Sequence, residues 1–365
     1  MQHHPQAETG WIDSHEALHE DLYFSLLEVF QQRSGRPTGD RRLQPGQIVP
    51  DVRGSEGRVH LRVSTRPYPT AAALAPSNDA VPLVDAVAPL SAERIAQAFE
   101  RIEGQRFEAT SRQGRAVRGV YRPGADPAVI ISGGQHANET SGVVGVLRAT
   151  EVLAARPGSH FALIPLENPD GHALHQALCL NAPRHMHHAA RYTALGDDLE
   201  FRETAPFYER EARHQALALS GATLHINLHG YPAHEWTRPM SGYIPRGFDL
   251  WTVPKGFFLI MRHHAGWGDK ARRLLEQVCF SLAGLPALRE FDERQRAAYR
   301  THAGELGFEV IHGIACSLGE VNRPGAPMTL ITEYPDETVY GEAFRLAHDV
   351  QTATVLAAVE ALATL

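Results

Sequence analysis

The sequence predicts an α/β fold, because short apolar runs alternate along the chain with segments of helical periodicity. Residues 128–132 (AVIIS) and 161–166 are continuous apolar runs bounded by turn residues, as expected for strands buried on both faces of a sheet. A segment with a helical pattern, at about 140–155, lies between them. Ligand sites of such sheets lie at the carboxyl ends of the strands, so the residues that follow each strand are the first candidates for function.

The other elements extend this pattern in both directions. In chain order, they are helices at 13–32, after Ser91, and at about 205–219, 269–282 and 342–361, and strands near 107, at 116–121, 223–228 and 328–332. Residues 38–89 are rich in Pro and Gly, and we predict a few short strands and turns there, for example around Val59, Leu61 and Val63. The change of pattern near residue 90 predicts a small N-terminal α+β appendage, 1–89, and a main domain, 90–365.

Composition narrows the class of function. The 365 residues carry a net charge of −7, so no global positive field favours nucleic acid, and we expect none as a partner. Three widely spaced cysteines predict neither a disulfide framework nor a cysteine zinc site. The sequence has no apolar run that is long enough to predict a membrane span or a leader. These features predict a cytoplasmic protein without a membrane partner, and its 21 histidines supply many possible metal ligands.

The first candidate site is an HxxE pattern. His136 and Glu139 follow the strand at 128–132 and a Gly-Gly break. Considered alone, the pair is as compatible with a structural role as with a functional one. In the structural role, His136 is a turn histidine and Glu139 is favoured by the dipole of the next helix. A second HxxE, at His302 and Glu305, has no strand just before it, and we interpret His302 as lying on a solvated helix face.

The third candidate ligand is His229, which ends the strand that begins at about residue 223. Two histidines with one glutamate form an established catalytic zinc set that leaves a position open for water. We therefore predict that His136, Glu139 and His229 bind one Zn²⁺ ion per chain. His225 lies on the same face of the strand but further from its end, and we interpret it as a partly buried histidine with a hydrogen-bond partner.

The fourth candidate is Glu333, at the end of the strand at 328–332. A carboxylate in this position can act as a general base toward a water molecule whose pKa a metal has lowered. Considered by itself, Glu333 is better explained as an acidic residue that caps the following turn. The histidine-rich stretch between the second and third ligands is interpreted as a polar loop near the mouth of the site, not as a second metal site; its histidines are His172, His175, His185, His187 and His188.

Taken in order, these motifs resemble the zinc metallocarboxypeptidase family. The ordered set is HxxE, the NPDG sequence 168–171, His229 before Gly-Tyr, and Glu333, and the resemblance covers about residues 91–361. It implies a mixed, twisted sheet of about eight strands between helices. It also implies zinc held by His136, Glu139 and His229, with Glu333 as general base. Asn168 and Asp170 are interpreted as turn formers.

Residues 191–202 are similar to a further segment of that family. The similarity gives Arg191 an oxyanion-stabilising role and Asp198 the role of orienting a histidine ligand. Where the family has an Asn-Arg clamp for the terminal carboxylate of the substrate, this chain has Glu200-Phe201, with Arg202 one position late.

Substrate recognition is therefore expected to differ from that of a general digestive carboxypeptidase, with a narrow substrate range. The residues predicted to bind substrate are Arg202, Glu200 and Tyr231. Arg184 and Arg238 are alternative cations for the clamp, and Tyr243 is an alternative to Tyr231 for the family's mobile tyrosine.

The predicted function is a zinc-dependent hydrolase of the metallopeptidase type, with 90–365 as its catalytic domain. Its substrate is expected to be a peptide or an acyl amino acid. Two alternatives stay open at this point: an N-acyl amino acid deacylase built on the same scaffold, and a catalytically silent binding module. Metal content separates the silent module from the enzymes. The sequence leaves the oligomeric state and the role of residues 1–89 open.

Overall fold

A mixed nine-stranded sheet forms the centre of the part of the chain that the computed structural model describes, which is residues 14–35, 37, 48–52, 60–65, 81–180, 183, 185–233 and 255–365. Its strands, in chain order, are β1 Gln105–Thr110, β2 Ala116–Arg122, β3 Val129–Gly133, β4 Phe161–Ile164, β5 Leu224–Pro232, β6 Phe258–His263, β7 Glu309–Ile311, β8 Ile314–Glu320 and β9 Met328–Glu337. Their order across the sheet is β1-β2-β4-β3-β5-β9-β6-β8-β7. The predicted mixed α/β sheet is confirmed.

The strands that carry the candidate residues lie at the middle of the sheet. β4, β3, β5 and β9 are neighbours and all run parallel, while β6 pairs antiparallel with β9. All five residues of β3 and all nine of β5 are buried. The continuous apolar run at the start of β3 thus reflects a strand covered on both faces, as predicted.

Helices cover both faces of the sheet. They are α1 Ser14–Arg33, α2 Ala92–Glu100, α3 Ser141–Ala154, α4 Pro169–Cys179, α5 Glu211–Ser220, α6 Gly268–Leu282, α7 Pro286–Ala303 and α8 Glu342–Ala363. Alternate residues of β3 divide between two cores: Ile131 packs in the large core that contains side chains of α3, α6 and α8, and Ile130 packs with Ala212 and Ala216 of α5. No helix in the described ranges is both long and apolar enough to span a membrane.

Two segments differ from the sequence-based expectation. Residues 168–171 do not form an isolated turn. Instead, Asn168 caps α4 by accepting a hydrogen bond from the backbone N–H of Gly171 at 2.8 Å. Residues 60–65 form no strand, and Leu61 and Val63 are exposed. The alternating apolar residues that suggested a strand there do not pack against a core. The prediction at Val59 lies outside the described residues.

The N-terminal helix packs onto the segment that follows α4. Tyr23, Phe24 and Leu27 of α1 are buried in a small cluster with Leu174 and Tyr192. This contact places α1 against the stretch that carries Arg191. The division of the chain at residue 90 stays a prediction.

Candidate metal centre

The three predicted metal ligands converge at one point. His136 and Glu139 lie in the connection from β3 to α3, and His229 lies near the end of β5. One candidate ligand atom of each side chain lies within 4.8 Å of the other two. The Nδ1 atom of His136 is 2.8 Å from Glu139 Oε1, and the Nδ1 atom of His229 is 3.0 Å from Glu139 Oε2. All three residues are at most 5% exposed.

Sheet register explains the convergence. β3 and β5 are parallel neighbours, with Ser132 opposite Asn227 and Gly133 opposite Leu228, so their carboxyl ends lie side by side. The chain then turns at Gly134, which has a φ of +65°. A Cβ atom at Gly134 would also lie 2.7 Å from the side chain of Leu166. Only glycine meets both conditions, so the Gly-Gly break sets the direction in which His136 leaves the strand.

The donor set fits a zinc ion. Tetrahedral ligand atoms at usual zinc distances are about 3.3 Å apart, and the two Nδ1 atoms are 3.0 Å apart here. Burial alone would raise the pKa of Glu139, but His136, Arg191 and His229 hold it well below its usual value. Two imidazoles and one ionised carboxylate thus face a common point, and a small dication there would satisfy their lone pairs.

Asp198 and Gln135 hold the ring of His136 from the other side. The Nε2 atom of His136 is 3.3 Å from Asp198 Oδ2, and the side-chain amide of Gln135 donates to Asp198 Oδ1 at 2.9 Å. Burial would raise the pKa of Asp198, but His136 and Arg191 lower it, so the carboxyl is ionised at neutral pH. A carboxylate in this place fixes the ring orientation and leaves Nδ1 directed at the other two ligands.

Arg191 lies beside the ligand set. Its Nη1 atom donates to Glu139 Oε1 at 2.5 Å, and the residue is 5% exposed. It follows a short 3₁₀ turn, His188–Ala190, next to the cluster that receives α1. The guanidinium therefore supplies a fixed positive charge at the edge of the site.

Glu333 lies directly opposite His229 in the register of β5 and β9. The two residues are direct partners on the parallel strands β5 and β9, so their side chains leave the same face of the sheet. Glu333 is half-buried. Burial and the charge of Glu139 raise its pKa well above the usual value, against the opposite effects of Arg191 and Lys255. Its carboxyl group therefore binds a proton more readily than an exposed glutamate does, as a proton acceptor in catalysis requires.

Sequence reasoning missed three residues near the site. Gln135 directly precedes His136, and that position was its only signal. Lys255 is buried, and burial lowers its pKa to about 8. Glu337 is 2% exposed, and burial together with Glu139 raises its pKa. Lys255 precedes β6, and Glu337 lies beyond the predicted end of β9. Neither position belongs to a pattern that can be recognised in a single sequence.

The predicted substrate-binding residues have other partners. Arg202 is 6% exposed and donates to Asp197 at 2.6 and 2.8 Å and to Glu209 at 2.5 Å. Those contacts use its guanidinium inside the loop, so the role predicted for Arg202 in substrate binding gains no support from this geometry. The hydroxyl of Tyr231 donates to the carbonyl of Gly256 at 2.7 Å and is buried. Arg184, Arg238 and Tyr243 lie outside the described residues.

Glu200, in contrast, faces a group of arginines. It forms ion pairs with Arg213 at 2.6 Å and Arg323 at 2.8 Å. Burial would raise its pKa, but these two cations lower it, so the carboxyl is ionised.

The histidine-rich stretch is less polar than predicted. Four of its members are buried: His172, His175, His187 and His188. Burial lowers the pKa of His172 to about 4 and that of His175 well below 6.5, so both are neutral. The ring of His188 packs on Tyr23 of α1, with centroids 4.9 Å apart. The rings of His187 and His188 therefore contact α1, through His19 and Tyr23. The side chain of His302 lies outside the described residues.

Comparison with known proteins gives no match at the level of sequence: no protein-family model matches the chain, and no curated protein does. Solved structures show similarity of fold. A carboxypeptidase A from Helicoverpa armigera aligns with a TM-score of 0.49 at 10% identity, over 76% of this chain and 74% of its own. A metallo-carboxypeptidase from Burkholderia cenocepacia aligns at 0.44 and 16% identity, over 76% and 70%. One from Pseudomonas aeruginosa aligns at 0.42 and 17% identity, over 75% and 70%.

Proposed function

We propose that this protein is a zinc-dependent hydrolase that cleaves a peptide or amide bond with an activated water molecule. The observation that carries the proposal is the convergence of His136, Glu139 and His229 at the carboxyl ends of two parallel strands. Glu333 stands in register beside them on a third strand. Three buried ligands with one adjacent carboxylate form the minimum set for metal-assisted hydrolysis.

Each residue has a separate task in this proposal. A zinc ion held by the three ligands would act as a Lewis acid and lower the pKa of a water molecule toward 7. The carboxylate of Glu333 takes a proton from the attacking water and returns it to the leaving amine, for which its raised pKa is favourable. Arg191 favours the negative charge that develops on the carbonyl oxygen. Asp198 keeps the ring of His136 in its ligating orientation.

The change in the family's carboxylate clamp supports a restricted substrate range. Glu200 occupies a clamp position and is held by Arg213 and Arg323, while the next cation along the chain, Arg202, is bound to Asp197 and Glu209. We therefore propose that a free terminal carboxylate is not the main recognition element at this position. The N-acyl amino acid deacylase alternative and the cytoplasmic location stay predictions.

The experiment that tests the proposal compares zinc-loaded wild type with Glu333→Gln. The substrates are N-acyl amino acids and blocked dipeptides with free or amidated termini, assayed by release of amine. We expect the variant to hydrolyse the best substrate about 100-fold to 10,000-fold more slowly, with zinc content unchanged, because proton transfer is lost. Glu290→Gln, on an exposed face of α7, is the matched control and should keep the wild-type rate. Equal rates for wild type and Glu333→Gln would exclude the assigned role.

A further inference from the structure

A cavity outside the metal centre lies between α5 and the same face of the sheet that carries His229. Its volume is about 100 Å³. Apolar side chains form part of its walls, among them Ile130 and Leu217, and His225 of β5 forms part of its floor. The charged side chains that line it are four arginines and one glutamate: Arg210, Arg213, Arg262, Arg323 and Glu200.

Two of the four arginines lack a carboxylate partner in the described part of the chain. Arg213 and Arg323 are paired with Glu200, and Arg213 also binds Glu167. Arg210, however, donates only to backbone carbonyl groups, at 2.6 and 3.3 Å. Arg262 donates only to the hydroxyl of Ser317, at 3.3 Å. The cavity thus holds more positive charge than its own acidic residues neutralise.

The mutual repulsion of these cations appears in their pKa values. Burial lowers the pKa of Arg262, and the charge of Arg323 lowers it further. Burial and the charge of Arg213 likewise lower the pKa of Arg210, although Glu200 opposes them. Both guanidinium groups stay protonated, because the reference value is above 12. A bound anion would relieve this repulsion.

The cavity is connected to the metal centre by a chain of hydrogen bonds. Arg213 donates to the side-chain oxygen of Gln135 at 2.5 Å, and Gln135 donates in turn to Asp198, which holds His136. His225 precedes His229 by four residues on β5, about 13 Å at 3.3 Å per residue. An extended substrate needs at least about four residues to cover that distance. The two places therefore lie within the length of one short peptide.

We propose that this cavity binds an anionic side-chain group of the substrate, a carboxylate or a phosphate, and so selects acidic substrates for the hydrolase. Guanidinium groups bind both oxyanions through paired hydrogen bonds. The volume is below the roughly 150 Å³ of a cavity that holds benzene, so it suits such a small group and excludes a large ring. The substrate part of this proposal rests on the proposed hydrolase function, whereas anion binding itself does not.

The first test is calorimetric titration of the full-length chain without added zinc, because this readout does not depend on hydrolysis. The probes are succinate, inorganic phosphate and the neutral analogue succinamide. We expect one of the two anions to bind at least 10-fold more tightly than succinamide, and the stronger one identifies the oxyanion. Arg262→Gln and, as a second variant, Arg323→Gln should weaken that binding at least 10-fold. Arg272→Gln, which removes an exposed pair with Glu309 on α6, is the control.

The second test measures KM for blocked peptides that carry Glu or phosphoserine, each compared with its Gln or Ser counterpart. We expect a lower KM for the acidic member in wild type and a smaller difference in Arg262→Gln. Equal binding of anions and succinamide, or equal binding by wild type and both cavity variants, would overturn the proposal. If no peptide is cleaved while anion binding still depends on Arg262, the hydrolase function fails and the anion site stands.

Discussion

Gly230→Ala is the substitution with the sharpest expected effect near the site. Gly230 follows His229 on β5, and its backbone N–H donates to Glu139 Oε2 at 3.0 Å. An added Cβ atom would overlap the Oδ1 atom of Asp336 and lie 2.8 Å from the carbonyl oxygen of Tyr334. Neither group can yield cheaply, because one is backbone and the other is fixed by its own hydrogen bond.

The expected loss of stability follows from two effects. Relieving the overlap by shifting packed groups costs about 1–3 kcal/mol. The Oδ2 atom of Asp336 accepts a 2.7 Å hydrogen bond from the backbone of Ser141, at the start of α3. Losing that bond in a buried place costs a further 1–3 kcal/mol or so. Together they predict a decrease of about 2–6 kcal/mol in the free energy of unfolding, and weaker zinc binding because Glu139 moves.

Urea unfolding followed by circular dichroism measures this decrease. Gly307→Ala is the control, because no atom lies within 4 Å of the added Cβ and its φ needs no glycine. It should change the free energy of unfolding by less than about 0.5 kcal/mol. A Gly230→Ala protein as stable as the control would refute the close packing of β5 against Asp336.

Two further predictions concern groups behind the site. Asp198→Ala should weaken zinc binding about 10-fold to 100-fold in a chelator competition assay, because the ring of His136 loses its orienting partner; unchanged affinity would contradict that role. Burial raises the pKa of Asp292 to about 7, above the value of about 3.9 for an unfolded chain, so the folded state loses stability as pH rises from about 4 to 7. The free energy of unfolding of Asp292→Asn, relative to that of wild type, should therefore increase from pH 5 toward pH 8 in urea unfolding. A difference that does not depend on pH would be evidence against the raised pKa.

The sequence was most informative about the central strands that carry the candidate site. The runs at 128–132 and 328–332 predicted β3 and β9, and the residues after them include His136 and Glu333. The pattern is legible at β3 because a strand covered on both faces is apolar throughout, so the first polar residues follow its end. β9 instead continues past Glu333 to Glu337. His229 was predicted at the end of its strand, but β5 continues beyond it to Pro232.

Other features depend on contacts between segments far apart in the chain. β6 and β8 show no clear pattern before the structure is known, and α4 was interpreted as a turn because its capping sequence, Asn168-Pro-Asp-Gly, is also a turn sequence. The partners of Arg202 could not be foreseen, since Glu209 reaches it from a later turn. The arginine cavity joins Arg213 of α5 with Arg262 of β6, which no spacing in the sequence brings together.

The most direct test of the central claim is the zinc content of the purified protein, measured by plasma mass spectrometry after equilibration with zinc and removal of the excess. The account predicts one zinc ion per chain in wild type and a loss of that ion in His229→Ala. His160→Ala, which changes a histidine just before β4 at the opposite end of the parallel strands, should retain it. A wild-type chain without zinc, or a His229→Ala chain that still binds one ion with wild-type affinity, would contradict the assignment of the metal centre.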